Sequence, residues 1–318
     1  MTTVDDIERA AARIAPYAHR TPVVTSTRLD EQLGAQIFCK AESMQRTGSF
    51  KFRGATNAVA SLDPTQGAKG ILTHSSGNHG QAIARAAALH GYSATVVMPS
   101  DAPPMKRRAT EHWGAAIVPF DRYEENRDDV VQRVLAESGA TLIPPFDHPD
   151  VIAGQGTTAV ELFDQVEELD MLFVCVGGGG LLGGCATVAK ARNPNIVVVG
   201  VEPDASDDHV RSRAAGHRVE LDAMPRTIAD GQQLMIPGEL TWPITNALTD
   251  HFVSVSDDEI ASTMRTLFAQ HKLVVEPSGA SALAAAIHRG LIERGARVGV
   301  TLSGGNVEPA TFFDLINT

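Results

Sequence analysis

Two hydrophobic periods alternate along the chain. Short apolar runs with the two-residue repeat of strands give way to stretches whose apolar positions recur every three to four residues, as on an amphipathic helix. From Gly34, GAQIFCKAE reads as a strand and ATNAVASL as a helix. GAKGILTHSS is a strand ending in a polar turn, and GNHGQAIARAAALHG is a helix that starts at that turn. YSATVVMPS, AAIVPF and ATLIPPF are further strands, separated by the helices PPMKRRATEHWG and ENRDDVVQRVLAESG. Short connections between alternating strands and helices predict a parallel sheet covered by helices.

The second half repeats the habit. IAGQGTTAVELFDQVEE is a helix, DMLFVCVGGGG a strand running into a glycine turn, LLGGCATVAKARNP the helix behind it, and NIVVVGVEP the next strand. Between residues 205 and 250 polar, proline and glycine residues break the pattern, which predicts a segment wrapping the surface or lining a cleft. VSVSDDEIASTMRTLFAQHKL restores a helix, with Ser256 as its cap and Glu259 as the box partner. PSGASALAAAIHRG is a closely packed small-residue helix, and ARVGVTLSGGN closes the sheet on another glycine turn. The first helix begins near Thr3 or Asp5. The fold class is therefore α/β, with a smaller unit at residues 70–146 inserted in a larger one formed by residues 1–69 and 147–318.

Composition adds exclusions. At 318 residues and 43% apolar content the chain can bury a sizeable core. A formal net charge of −11 argues against nucleic-acid and anionic membrane partners. The cluster Lys106-Arg107-Arg108 reads as the solvated face of a helix, with anion steering as the alternative. No apolar run approaches a membrane span, and the acidic N-terminus lacks the apolar core of a signal peptide. Three cysteines without metal-site spacing read as buried reduced thiols, which predicts a cytoplasmic protein.

The turns hold the candidate chemistry. Ligands of an open parallel sheet collect beyond the carboxyl ends of its strands, where Ser75 to Gly80, Gly177 to Gly180, Glu202-Pro203 and Ser303 to Asn306 all fall. Gly177, Gly178, Gly179 and Gly180 can turn backbone N–H groups toward an anion at a helix N-terminus. A tight turn and a dinucleotide turn are the alternatives. Lys51, between Phe50 and Phe52 in a chain that favours arginine, suits a deprotonatable amine, with a snorkelling surface lysine as the alternative. The Ser75–Gly80 turn suits a carboxylate or phosphate or serves simply as a cap, and His79 can equally be a packing residue. Glu202, Asp204, Asp207 and Asp208 suit a hard cation or an acidic surface loop.

Taken together, SFKFRGA at 49–55, SSGNHGQ at 75–81, AGQGT at 153–157, GGGGL at 177–181, VEP at 201–203 and SGGN at 303–306 resemble the serine/threonine dehydratase family. That family includes serine racemase and belongs to the tryptophan-synthase-β-like, fold type II class of pyridoxal-phosphate enzymes. The resemblance implies two open, mostly parallel sheets with the cofactor in the cleft between a large and a small domain. It implies that Lys51 carries pyridoxal 5'-phosphate and acts as base, with Phe50 near the ring, Asn78 at its phenolic oxygen and Ser303 at its nitrogen. Gly177 to Gly180 and Leu181 would hold the phosphate. Ser76 would act on the face opposite Lys51, as in racemase-type members. Ser75, Ser76, Gly77, Asn78, His79 and Arg127 would receive the substrate, a small amino acid. Glu202, Ser206 through its backbone oxygen, and Asp208 would bind Mg2+, Ca2+ or Mn2+. A homodimer is expected, and a C-terminal regulatory domain is not.

Pro144-Pro145-Phe146 departs from the His-Pro-Asn of racemase-like members and removes a polar pocket contact. A serine at the ring nitrogen does not enforce a protonated, strongly electron-withdrawing ring. Both features favour an ammonia-lyase acting on L-serine or L-threonine. The alternatives are a serine or aspartate-like racemase, a dual racemase and lyase, a β-replacement enzyme and a 3-hydroxyaspartate ammonia-lyase.

Overall fold

A computed structural model describes residues 1–75 and 77–317. Its ten strands are β1 (Val23–Val24), β2 (Gln36–Ala41), β3 (Ile71–His74), β4 (Ala94–Pro99), β5 (Ala116–Phe120), β6 (Thr141–Leu142), β7 (Met171–Cys175), β8 (Val197–Pro203), β9 (His251–Val255) and β10 (Arg297–Leu302). They form a six-stranded sheet of order β1-β2-β10-β7-β8-β9 and a four-stranded sheet of order β5-β4-β3-β6. Every neighbouring pair is parallel except β1 with β2. The central strand β7 is apolar and buried along its whole length, as expected of a parallel strand covered on both faces.

The helix ends follow local chemistry. Thr3 caps the first helix and shares a capping box with Asp6, while Ser256 and Glu259 do the same for Asp257–Thr266. The weakly patterned stretch from 205 to 250 holds two short helices, Asp208–Ala215 and Thr241–Leu248, and is followed directly by β9. Lys106 departs from the expected solvated face. It is buried on the helix Pro104–His112, whereas Arg107 is half-buried and Arg108 exposed.

Close helix contacts set the position of Lys51, the first residue of the helix Lys51–Ala60. This helix lies against Pro149–Gln165 at Gly54 and Gly154, where a Cβ on Gly154 would stand 2.6 Å from the Gly54 Cα. The Gly54 N–H donates to Gln155 Oε1 at 3.1 Å. The AGQGT motif is thus helix-packing material that carries the lysine helix. All three cysteines are buried free thiols. No helix among the described residues is long and apolar enough to cross a membrane.

Candidate active site

Lys51 is half-buried, and its Nζ donates to the Pro145 carbonyl at 2.8 Å and lies 5.1 Å from the Phe50 ring centre. Desolvation lowers its pKa from 10.5 to about 8. Behind it, Arg53 is locked in a buried ion-pair cluster. It donates to both oxygens of Glu42 and both oxygens of Glu161, each at 2.8 Å. Lys40 adds three bonds of 2.7 Å to Glu161, Gln165 and the Thr21 carbonyl. Ahead of it, the Phe50 N–H donates to the Ser303 carbonyl at 2.9 Å, and Ser49 pairs with Gly304 in an isolated antiparallel bridge. The lysine turn and the SGGN turn are thereby one structure.

The glycine turn follows β7. Gly179 takes φ +88°, a left-handed conformation that favours glycine, and caps the helix Gly180–Arg192. A Cβ on Gly178 would stand 2.3 Å from the Phe146 ring, and one on Gly179 would stand 2.8 Å from Thr241. Thr241 Oγ1 donates to the Gly178 carbonyl at 2.6 Å. No side chain fits here, and the amides at the start of a 13-residue helix suit a phosphate. Leu181 is buried in the first turn of that helix. Pro145 touches Lys51 while Phe146 covers Gly178, which places the amine beside the anion cradle. Cys175, at the end of β7, has its thiol pKa raised to about 11 by burial, with Ser303, Glu276 and Lys51 all close enough to modulate it.

Ser303 is buried, and its hydroxyl donates to the Ser278 carbonyl at 3.4 Å. Asn78 is held on both sides: its amide donates to Glu276 Oε1 at 2.6 Å, and its carbonyl accepts from Asn306 at 2.8 Å. Glu276 escaped sequence reasoning because it is a lone acid before PSGA. It is buried, and desolvation raises its pKa to about 7 against the pull of Lys106. Ser75 Oγ accepts from the Gly77 N–H at 3.0 Å. Ser76 lies outside the described residues. His79 is buried with Nε2 3.3 Å from the Ile143 carbonyl, so its ring is partly spent on packing. Burial drives its pKa well below 6.5.

Arg127 is exposed and paired with Asp128 at 2.8 Å. Its field still reaches His74, at the carboxyl end of β3. Burial first, then Arg127, lowers the His74 pKa to about 4, and Lys51 also contributes. His74 was passed over because a histidine ending a strand carries no motif.

Glu202 and Asp208 come together, and His209 joins them. His209 Nδ1 lies 3.2 Å from Glu202 Oε1 and 3.5 Å from Asp208 Oδ2. The Glu202 oxygens also accept the His209 and Val210 N–H groups, each at 3.0 Å. Neither Asp208 oxygen has a hydrogen-bond partner among the described residues. The Ser206 hydroxyl is spent on the Gln232 and Leu234 carbonyls at 2.8 and 3.2 Å. Two carboxylates and an imidazole fit a divalent cation.

The sequence profile of the family described as pyridoxal-phosphate dependent enzyme matches residues 14–304. The chain is 46% identical over 315 residues to L-threo-3-hydroxyaspartate ammonia-lyase of Saccharomyces cerevisiae, covering 99% of this chain and 96% of that one. It is 44% identical over 310 residues to serine racemase of Schizosaccharomyces pombe, covering 97% and 95%. The structure of maize serine racemase superposes with a TM-score of 0.94 at 42% identity, covering 99% and 97%. With an amine of lowered pKa beside an anion cradle, and kinship over nearly the whole chain, this protein belongs to the pyridoxal-phosphate dependent enzymes, in the fold type II group of serine/threonine dehydratases and serine racemases.

Proposed function

We propose that the chain is an ammonia-lyase that removes water and ammonia from a small L-hydroxy amino acid, with L-threo-3-hydroxyaspartate preferred over L-serine and L-threonine. The observation that carries the elimination chemistry is Lys51, whose desolvated amine has its pKa lowered to about 8. A substantial fraction is then neutral near physiological pH and able to take the substrate Cα proton at Nζ. Pyridoxal phosphate supplies, when bound, the electron sink that acidifies that proton. Lys51, Asn78, Ser303 and the Gly177–Gly180 amides are the residues that would hold it. Phe146 covers the glycine turn with an apolar ring, which keeps water from the reacting atoms.

The substrate preference rests on the yeast relative's activity and on the cationic side of the cleft. Arg127 and Lys51 each lie within electrostatic reach of His74, where a second substrate carboxylate would be neutralised. The Ser75–His79 turn would take the α-carboxylate. Glu202, Asp208 and His209 would hold Mg2+ or Mn2+ away from the chemistry, as a structural or activating ion.

The test is to incubate the holoenzyme separately with L-serine, D-serine, L-threonine and L-threo-3-hydroxyaspartate while following 2-oxo acid, ammonia and enantiomer. Elimination should exceed inversion for the L-substrates and be fastest with 3-hydroxyaspartate. Lys51→Ala should abolish turnover, and Arg127→Ala should raise KM about tenfold for 3-hydroxyaspartate while leaving that for serine within about twofold. Inversion outrunning elimination on every substrate would overturn the lyase reading. An equal effect of Arg127→Ala on both substrates would overturn the assignment of the second carboxylate.

A further inference from the structure

Lys106 is a buried cation that the proposed chemistry leaves without a role. It projects from the helix Pro104–His112, beside the four-stranded sheet, and its side chain is 5% exposed. Its Nζ reaches two carboxylates beside the six-stranded sheet: Asp230 at 2.5 Å and Glu276 at 3.6 Å. Burying an ammonium is costly, and these ion pairs offset that cost only while the two halves stay together.

The lysine stem also has a contact. A Cβ on Gly77 would stand 2.4 Å from Lys106 Cδ, 3.2 Å from Cε and 3.3 Å from Nζ. The stem therefore lies along the backbone of the substrate-facing turn. The groups around its head belong to one connected set. Glu276 Oε1 accepts from Asn78, next to Gly77, and the Glu276 N–H donates to the Gly304 carbonyl at 3.0 Å. The Gly231 N–H, next to Asp230, donates to Ser278 Oγ at 2.9 Å, and the Ser278 carbonyl accepts from Ser303.

We propose that Lys106 is a positioning residue: paired with Asp230 and Glu276, it latches the smaller sheet unit onto the larger one and holds the Gly77 backbone in register for the substrate carboxylate. It does not touch the substrate. Losing its charge opens the cleft and misplaces the turn, so binding suffers before chemistry does.

The experiment compares wild type, Lys106→Met, Asp230→Asn and the double variant, all loaded with cofactor. Lys106→Met keeps the apolar stem and removes the charge. Hydrogen exchange should rise at least about tenfold at residues 77–81 and 230–232 in each variant, and remain unchanged in β7 and β10. KM should rise about tenfold with kcat within about threefold. The double variant should be no worse than Lys106→Met alone, because Asp230→Asn breaks one of the two ion pairs that Lys106→Met already removes. Exchange within about twofold of wild type, additive effects in the double variant, or a fall in kcat at constant KM would each overturn the latch. Should Lys106→Met fail to fold, Asp230→Asn, whose side chain is 34% exposed, decides alone. Only the kinetic arm rests on the ammonia-lyase reading. An enzyme inert toward hydroxy amino acids would sink that reading, while the exchange data would still decide the latch.

Discussion

The charge cluster of Arg53, Lys40, Glu42 and Glu161 and that of Glu202, Asp208 and His209 are both withdrawn from solvent, but their donors and acceptors balance differently. In the first, two cations meet two carboxylates, and the three Lys40 protons find three acceptors. In the second, both oxygens of Asp208 and the His209 Nε2 lack hydrogen-bond partners among the described residues. A saturated cluster has no capacity left for a ligand and is scaffold. An unsaturated one has desolvated groups whose cost the protein offsets only in part, and it is where a cation would bind. Burial of charge does not by itself distinguish them; unmet hydrogen-bonding capacity does.

The largest expected effect breaks the saturated cluster. Arg53→Met leaves Glu42 buried without its cation and Glu161 with Lys40 alone, and should cost about 3–5 kcal/mol in denaturant unfolding. A loss under about 1 kcal/mol would mean that the cluster is not the scaffold under Lys51.

The next effect concerns the unsaturated cluster. Mn2+ or Mg2+ at about one hundred times its dissociation constant should stabilise the wild type by about 2.7 kcal/mol. Asp208→Asn should remove that gain and leave the chelator-treated protein about as stable as before, since a buried carboxylate whose only close cationic neighbour among the described residues is His209 is gone. Thermal unfolding with and without chelator checks both points, and melting curves that ignore the ion would dissolve the contrast between the clusters.

The smallest effect sharpens the contrast at a third charge, one that is half-buried. The Lys51 pKa is lowered to about 8 in the folded protein, whereas the unfolded side chain keeps its ordinary 10.5. The unfolded state therefore binds more protons between these values, so stability rises with pH from about 8 toward 10.5. Below about 8 the full penalty is present. Lys51→Met should stabilise the cofactor-free protein by roughly 1–2 kcal/mol at pH 7, with the difference shrinking as pH rises toward 10.5. A destabilised variant at pH 7 would show that Lys51 is held by interactions that outweigh its desolvation.

Much of this was legible along the chain, because most strands and helices carry clean periods and short turns separate them. β9, His251–Val255, was absorbed into the helix that follows, since its Val253-Ser254-Val255 alternation is short and runs straight into the Ser256 cap. The site was legible where backbone alone does the work, as in the glycine turn, and where one unusual residue interrupts a pattern, as at Lys51. It was illegible where function arises from distant partners. Lys106 sits in a basic run that looks solvated, and only the fold brings Asp230 and Glu276 to it. His209 adjoins the acids, but an imidazole beside a run of carboxylates does not stand out in a pattern of hard oxygen ligands. The role of Arg53 emerges only when Glu42 and Glu161, from distant segments, meet around it.

The position of β10 has a consequence for synthesis. It is inserted between β2 and β7, and its last turn supplies the Ser303 carbonyl that holds Phe50. The four-stranded sheet is built from one continuous stretch, so it can close while the ribosome is still working. The six-stranded sheet cannot: β2 lacks its inner neighbour until nearly the whole chain has emerged. The lysine turn is thus among the first segments translated and among the last to be fixed.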